Sequence, residues 1–203
     1  NLHASLLPDY RGAAPINWSI INGEEKTGVS TFFIDEKIDT GAVILKNETN
    51  ISEEETAGEL HDRLMLLGAE TVVETLKLIE NNQVKTTIQP AEETKTAYKL
   101  NRENCKIDFN KSSKEVYNLI RGLNPYPSAY TILSDNRNEY NIKIHDVTYT
   151  IEQHNFKPGR FIAAKKTIRI ATNDGFIEIL SLQFPGKKKM KTAELLNGMQ
   201  FSD

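Results

Sequence analysis

Thr27-Gly28-Val29-Ser30-Thr31-Phe32-Phe33-Ile34-Asp35, then Ile38-Asp39-Thr40-Gly41, then Ala42-Val43-Ile44-Leu45, reads as a strand, a tight loop and a second strand. β-Branched and aromatic residues fill the first run, which closes at polar Asp35-Glu36-Lys37. In the loop Gly41 supplies backbone freedom, and Asp39 either bonds local backbone in an Asx-turn or points into a site. Upstream, Ala13 to Ile21 predicts a short helix with Pro15 in its first turn and Asn22-Gly23 as its stop. Downstream, Thr56 and Glu59 have capping-box spacing. Leu60, Leu64, Leu67, Val72, Leu76 and Ile79 then keep an apolar helical stripe whose phase breaks near Gly68, and Asn81-Asn82 ends it.

Residues 83–100 mix Gln, Pro, Thr, Glu and Lys without periodicity, and Pro90 interrupts any regular element, so this stretch is expected to be a linker. A change of charge coincides with it. Residues 1–100 hold 9 Lys/Arg against 17 Asp/Glu and residues 101–203 hold 16 against 11, so the formal −3 divides into −8 and +5. Two domains follow, residues 1–82 and 101–203, the second basic enough to attract a polyanion. In that half Ser112 and Glu115 predict a capped helix ending near Gly122, stopped by Asn124-Pro125-Tyr126-Pro127. Arg121 and Asn124 at its end are expected to be structural. Five β-like runs succeed it, at 129–133, 140–150, 159–163, 167–172 and 176–182, a count that suits a small OB-like β-barrel.

A chain of 203 residues with 38% hydrophobic and 26% charged residues is an ordinary globular composition, which excludes collagen-like and disordered classes. No apolar run approaches the roughly 20 residues of a membrane span, so no membrane partner is expected. The single cysteine, Cys105, excludes an internal disulfide framework and suits a reducing, cytoplasmic setting. His61, His145 and His154 show no metal-ligand spacing, and no metal is expected. There is neither a Walker loop nor a G-x-G-x-x-G run.

Asn1-Leu2-His3-Ala4-Ser5-Leu6-Leu7-Pro8 carries the polar groups best placed for chemistry. Asn1 and His3, two apart, share a side if these residues leave a strand. An amide and an imidazole can both donate to a developing oxyanion, and a carboxylate such as Asp39 can fix the imidazole tautomer. That set serves acyl-type transfer in which an incoming amine, not a protein group, is the nucleophile. A satisfied loop histidine and an Asx-turn are the structural alternatives.

Asn1 to Pro8, with Tyr10-Arg11-Gly12-Ala13-Ala14-Pro15 and Ile38-Asp39-Thr40-Gly41, resembles the folate-dependent formyltransferases. Lys106-Ile107-Asp108-Phe109, Asn124 to Pro127, and Pro185-Gly186-Lys187-Lys188-Lys189-Met190 ahead of Leu195-Leu196-Asn197-Gly198 resemble the C-terminal region of those members that formylate methionine on initiator tRNA. The resemblance implies an α/β fold: the C-terminal half of a Rossmann-like formyltransferase domain, with parallel strands, followed by the OB-like domain. It implies 10-formyltetrahydrofolate as formyl donor and initiator methionyl-tRNA as acceptor. Asn1, His3 and Asp39 match the family's catalytic residues, and Ser5, Leu6, Leu7 and Pro8 its folate-contacting segment. Lys165, Lys166, Arg169, Lys187, Lys188, Lys189 and Lys191 are the expected RNA-binding cations. The complete enzyme is expected to be a monomer. Because the family carries further chain ahead of its catalytic asparagine, this sequence is expected to be a piece of a longer protein, inactive alone. Formylation of an amino-sugar nucleotide, and a nonenzymatic OB-type RNA-binding module, are the competing readings.

Overall fold

The structure, a computed structural model, describes residues 1–92, 95–134 and 139–198. Two compact units divide the chain, Asn1–Leu100 and Asn101–Asp203.

In the first unit the elements are β1 (Leu2–His3), β2 (Arg11–Gly12), α1 (Pro15–Ile21), β3 (Lys26–Phe32), β4 (Val43–Asn50), α2 (Ala57–Glu80) and β5 (Thr96–Ala97). β1, β3 and β4 form one sheet, and both of its pairings are antiparallel. The parallel register expected for residues 1–82 is therefore not found in it. The reason is the length of the connection: ten residues, 33–42, join β3 to β4, whereas a parallel crossover needs a dozen or more. β3 also ends three residues early. A register shift at Thr31/Phe32 closes the ladder, and Phe33, Ile34 and Asp35 leave the sheet exposed. Among the described strands of this unit the parallel pair is β2 with β5, Arg11 opposite Thr96 and Gly12 opposite Ala97.

Pro15 opens α1, and Thr56 and Glu59 form the full reciprocal capping box of α2. α2 buries Ala57, Leu60, Leu64, Gly68, Thr71 and Thr75, of which Ala57, Leu60 and Leu64 pack with Ile20, Val29 and Ile51. After Gly68 the inward face thus follows Thr71 and Thr75, not the expected Leu76 and Ile79, which are exposed. An unbroken helix keeps its phase at 3.6 residues per turn, so 57-60-64-68-71-75 stays inside even when the apolar residues step off that line. The two threonines are satisfied there: Thr31 and Thr75 hydroxyls lie 2.8 Å apart, and Asn47 Nδ2 donates to Thr71 Oγ1 at 2.8 Å.

Residues 83–100 are bonded to the first unit at several points. Thr87 exchanges two backbone hydrogen bonds of 2.8 Å with Val43, and Tyr10 N donates to Lys95 O and Ala13 N to Ala97 O at 2.8 and 2.7 Å.

The second unit holds α3 (Ser113–Gly122), β6 (Ala129–Ser134), β7 (Glu139–Ile151), β8 (Phe161–Ala163), β9 (Ile168–Ala171), β10 (Gly175–Gln183), β11 (Met190–Lys191) and α4 (Thr192–Gly198). Each of the five expected runs forms a strand, and Ser112 and Glu115 build the expected capping box. The sheet order is β6-β7-β10-β9-β8, with β11 on β10. The 13-residue β7 pairs with β6 through Glu139–Ile144 and with β10 through Lys143–Ile151, so the sheet curls along it. No pairing of β6 with β8 closes it among the described strands, and the result is a curled half-barrel. Ile120, Leu123, Ile142, Ile144, Ile177 and Ile179 fill its core. Among the described residues no helix is long and apolar enough to cross a membrane.

Gly28 shows how tightly the β3–β4 ladder is set. A Cβ there would lie 2.1 Å from Asn47 O and 2.6 Å from Leu6 Cδ2. Gly28→Ala must push backbone from backbone, at a cost of about 2 kcal/mol or more. The expected outcome is a lower urea midpoint for the first unit, followed by fluorescence of Trp18, the only tryptophan.

Candidate active site

His3 ends β1, opposite Ser30 of β3, and is buried. The chain beyond it folds into a compact loop held from within. Ser5 Oγ donates to Asp9 O at 2.6 Å, Ser30 Oγ donates to Ser5 O at 2.6 Å, and Leu7 N donates to Ser30 Oγ at 3.0 Å. Lys46 Nζ donates to Leu7 O. The loop brings the Tyr10 carbonyl to 2.7 Å from His3 Nε2. A carbonyl only accepts, so Nε2 carries a proton. The other ring nitrogen, Nδ1, faces Asp39 Oδ2 at 3.6 Å, a charge contact longer than a hydrogen bond.

Tyr10 itself is anchored. It adopts a φ of 61°, its ring is buried, its hydroxyl donates to Glu24 Oε1 at 2.6 Å and accepts from Asn22 Nδ2 at 3.1 Å. Burial, and then the Glu24 carboxylate, push the phenol well above its usual range, so it stays a donor. Lys95 ties the same carboxylate at 2.6 Å.

Asp39 sits in the 33–42 loop with a φ of 56°, in the left-handed region that aspartate tolerates better than most residues. Its Oδ2 accepts from Gly12 N at 3.0 Å, and Gly12 has a φ of 120° that a side chain would resist. An open groove of about 860 Å³ adjoins this loop, lined in part by Arg11, Lys37, Ile38, Thr40, Gln89 and Pro90.

The structure thus brings His3 and Asp39 together. Asn1 stands one residue before β1, exposed, its Oδ1 accepting from Leu2 N at 3.0 Å. Within the Ser5 to Pro8 segment, Ser5 and Leu7 are fully buried while Leu6 and Pro8 keep partial exposure. Tyr10 carried no sequence signal beyond its place in the Tyr10 to Pro15 run, and Gln89 carried none.

In the second unit Lys165, Lys166, Lys187, Lys188 and Lys191 are exposed. The register sets some of them near one another. β9 leaves β10 at the Ile168–Ile179 pair, and β11 joins the same side of β10 at Lys191–Ser181. Ile168, two residues after Lys166, and Lys191 therefore register two positions apart on β10. Two of the expected cations are engaged elsewhere: Arg169 pairs with Glu152 at 2.7 Å and lies 3.9 Å over the Phe176 ring, and Lys189 Nζ lies 2.6 Å from Asp146 Oδ2. Among the described residues no group of three or more His, Cys, Asp or Glu is arranged to hold a metal.

Two family models match the chain: "Formyl transferase" over residues 1–76 and "Formyl transferase, C-terminal domain" over residues 99–200. The chain belongs to the formyl transferase family. Among curated relatives, a methionyl-tRNA formyltransferase of Flavobacterium johnsoniae is 62% identical over 204 residues, covering 100% of this chain and 65% of its own. This formyl transferase chain therefore spans just under two thirds of that relative's length. Of solved structures, an N-formyltransferase from Helicobacter canadensis in complex with folinic acid and dTDP-3-aminofucose superposes with a TM-score of 0.68 at 27% identity, covering 94% of this chain and 65% of that one. HypX from Aquifex aeolicus in complex with tetrahydrofolic acid shares the fold, with a TM-score of 0.70 at 22% identity, covering 96% of this chain and 34% of that one.

Asp146 gives a measurable consequence of the Lys189 pairing. Burial raises its pKa, but Lys189 and Ser181 outweigh this and hold the carboxyl below the usual range. A carboxyl lowered on folding stabilises the fold above its unfolded value near pH 4 and loses that contribution as pH falls through the folded value. Lys189→Met is expected to narrow the difference in urea midpoint between pH 7 and pH 3, followed by circular dichroism, and Lys187→Met to leave it unchanged.

Proposed function

We propose that this formyl transferase chain is part of an enzyme that transfers the formyl group of 10-formyltetrahydrofolate to the amino group of methionine esterified to initiator tRNA. One observation carries the chemistry: His3, fixed through Nε2 to the Tyr10 carbonyl, turns Nδ1 toward Asp39 across 3.6 Å. The 62% identity to a relative named for the same reaction supports the substrate.

The formyl carbon would gain a bond to the attacking amine and lose its bond to the folate nitrogen, which would leave as tetrahydrofolate carrying the proton the amine gives up. In the chain's part of the reaction, the Asn1 amide donates to the formyl oxygen as negative charge builds on it, and the His3 Nδ1 edge, when it carries a proton beside Asp39, is the second donor. Asp39 holds the charge on His3 and accepts, directly or through a water, the proton that the attacking amine must lose. At 3.6 Å no hydrogen bond joins Nδ1 to Oδ2, so neither group has to be released by the other before it acts. Leu6 and Pro8, the partly exposed members of their segment, offer apolar surface to the folate, while Ser5 and Leu7 hold the loop that presents them. In this reading residues 1–82 belong to the catalytic domain, and residues 101–203 form an OB-like domain that binds tRNA.

A nucleotide-sugar acceptor is the second reading, supported by the fold shared with the Helicobacter canadensis enzyme. The higher identity to the tRNA enzyme, 62% against 27%, favours the first. Transfer to neither acceptor by the full-length protein, with salt-dependent tRNA binding intact, would leave a nonenzymatic RNA-binding module.

In the full-length protein, carrying the N-terminal portion its relatives have, His3→Ala and Asp39→Ala are each expected to lower kcat for methionyl-tRNA by about 10²- to 10³-fold. The 203-residue chain alone is expected to show no formyl transfer. Turnover near wild type in His3→Ala would sink the assignment. The exposed lysines supply the second test. Replacing Lys187, Lys188 and Lys191 together with alanine should reduce the slope of log K against log salt for tRNA by about 0.9 for each phosphate these side chains neutralise, roughly uniformly across tRNA sequences. An unchanged slope would remove these lysines from the interface.

A further inference from the structure

Residues 87–90 invert the usual rule of burial. Ile88 is 86% exposed, while its neighbour Gln89 is turned inward. The two Thr87–Val43 backbone hydrogen bonds lay this segment beside the end of the 33–42 loop. Gln89 Nε2 then donates to two carbonyls of that loop, Asp39 O at 2.9 Å and Gly41 O at 2.7 Å. Its other end is gripped by Arg11, which is 3% exposed: Nε and Nη2 donate to Gln89 Oε1 at 3.1 and 2.9 Å, and Nη2 also donates to Pro90 O at 3.0 Å.

Each partner has a chemical reason to be what it is. An amide offers two donors on one nitrogen, which suits two carbonyls two residues apart, and one oxygen for the arginine. A guanidinium on that oxygen polarises the amide and strengthens its donation, as charge-assisted and chained hydrogen bonds do. The loop needs such a hold. Residues 33–38 are exposed, and Asp39 occupies a left-handed backbone conformation that its own residue type favours only weakly. Gly12 N reaches the carboxylate from the next residue of the strand that supplies Arg11, so β2 grips Asp39 at its side chain and, through Gln89, at its backbone.

We propose that Gln89, polarised by Arg11, is a positioning residue that sets Asp39 for proton transfer. The inference rests on the reading of Asp39 as the group that accepts the amine proton. Misplacing a reacting group by about 1 Å can cost on the order of a hundredfold in rate without altering substrate binding.

The test uses the full-length protein and formyl transfer to methionyl-tRNA. Gln89→Glu keeps the size and an even stronger acceptor for Arg11 but removes both donors to the loop. It is expected to lower kcat about ten- to a hundredfold with both KM values and the melting temperature unchanged. In an Asp39→Ala background the same substitution should have no further effect, because coupled residues are not additive. An equal loss in both backgrounds, a loss confined to KM, or no loss while Asp39→Ala is slow would each overturn the proposal and leave the functional reading standing. Wild-type turnover by Asp39→Ala would overturn both. If Gln89→Glu lowers the melting temperature, Arg11→Lys carries the test: it keeps the charge but loses the two-pronged grip on Oε1, and a smaller kcat loss, again absent without Asp39, is expected.

Discussion

Ser30 is fully buried in β3, and its hydroxyl settles where the first ten residues run. Its backbone registers against His3, its Oγ donates to Ser5 O, and the same oxygen accepts from Leu7 N. Both bonds lie away from water, where an unmatched partner costs about 1–3 kcal/mol, so neither is easily given up. With Ser5 and Leu7 fixed, the turn to Tyr10 is short and its carbonyl meets the imidazole. That carbonyl takes up Nε2, which leaves Nδ1 as the ring edge that faces Asp39. The Ser30 hydroxyl thus orients the imidazole to which the proposed chemistry falls.

Asp39 comes to His3 by a different route. The β3–β4 hairpin carries it, and a ten-residue connection between antiparallel strands has many conformations open to it. Beside the bonds within the loop, such as Thr40 Oγ1 to Asp35 Oδ1 and Phe33 N to Ala42 O, three reach it from elsewhere in the chain: Gly12 N to the carboxylate, and Gln89 to the two carbonyls. Two of these come from a segment fifty residues further along. Residues 83–100 accordingly contribute to the site, since the bonds of Thr87, Gln89, Lys95 and Ala97 all fall on elements that shape it.

Local signals were legible and non-local ones were not. Thr56 and Ser112 announced their helices because a capping box is written within four residues, and the strands β6 to β10 of the second unit were visible as β-branched runs between polar turns, while the two-residue β11 was not. His3 and Asp39 stood out through motif. The direction of strand pairing was missed because the resemblance suggested parallel strands, although the connection length already forbade them. The inward face of α2 was misplaced after Gly68 because threonine counts as polar in a pattern, yet Thr71 and Thr75 are buried with their hydroxyls bonded to Leu67 O and Thr71 O one turn back. Of the expected RNA-facing cations, Arg169 and Lys189 look like the others in sequence, and only cross-strand neighbours show that they are paired.

Gln89 marks the limit of reading by pattern. Period and hydropathy would bury Ile88 and expose Gln89, and the chain instead exposes Ile88 and half-buries Gln89. Burying isoleucine would gain about 2 kcal/mol, so its exposure means that something of comparable size is obtained by turning the other way. The candidates are the two amide donors to the loop and the oxygen for Arg11, whose guanidinium, at 3% exposure, would be costly to leave without its acceptor. Arg11 must be inside because β2 is, and β2 is inside because Gly12 has to reach Asp39. The polarity inversion at residue 89 is therefore a consequence, transmitted through one arginine, of where the carboxylate has to stand.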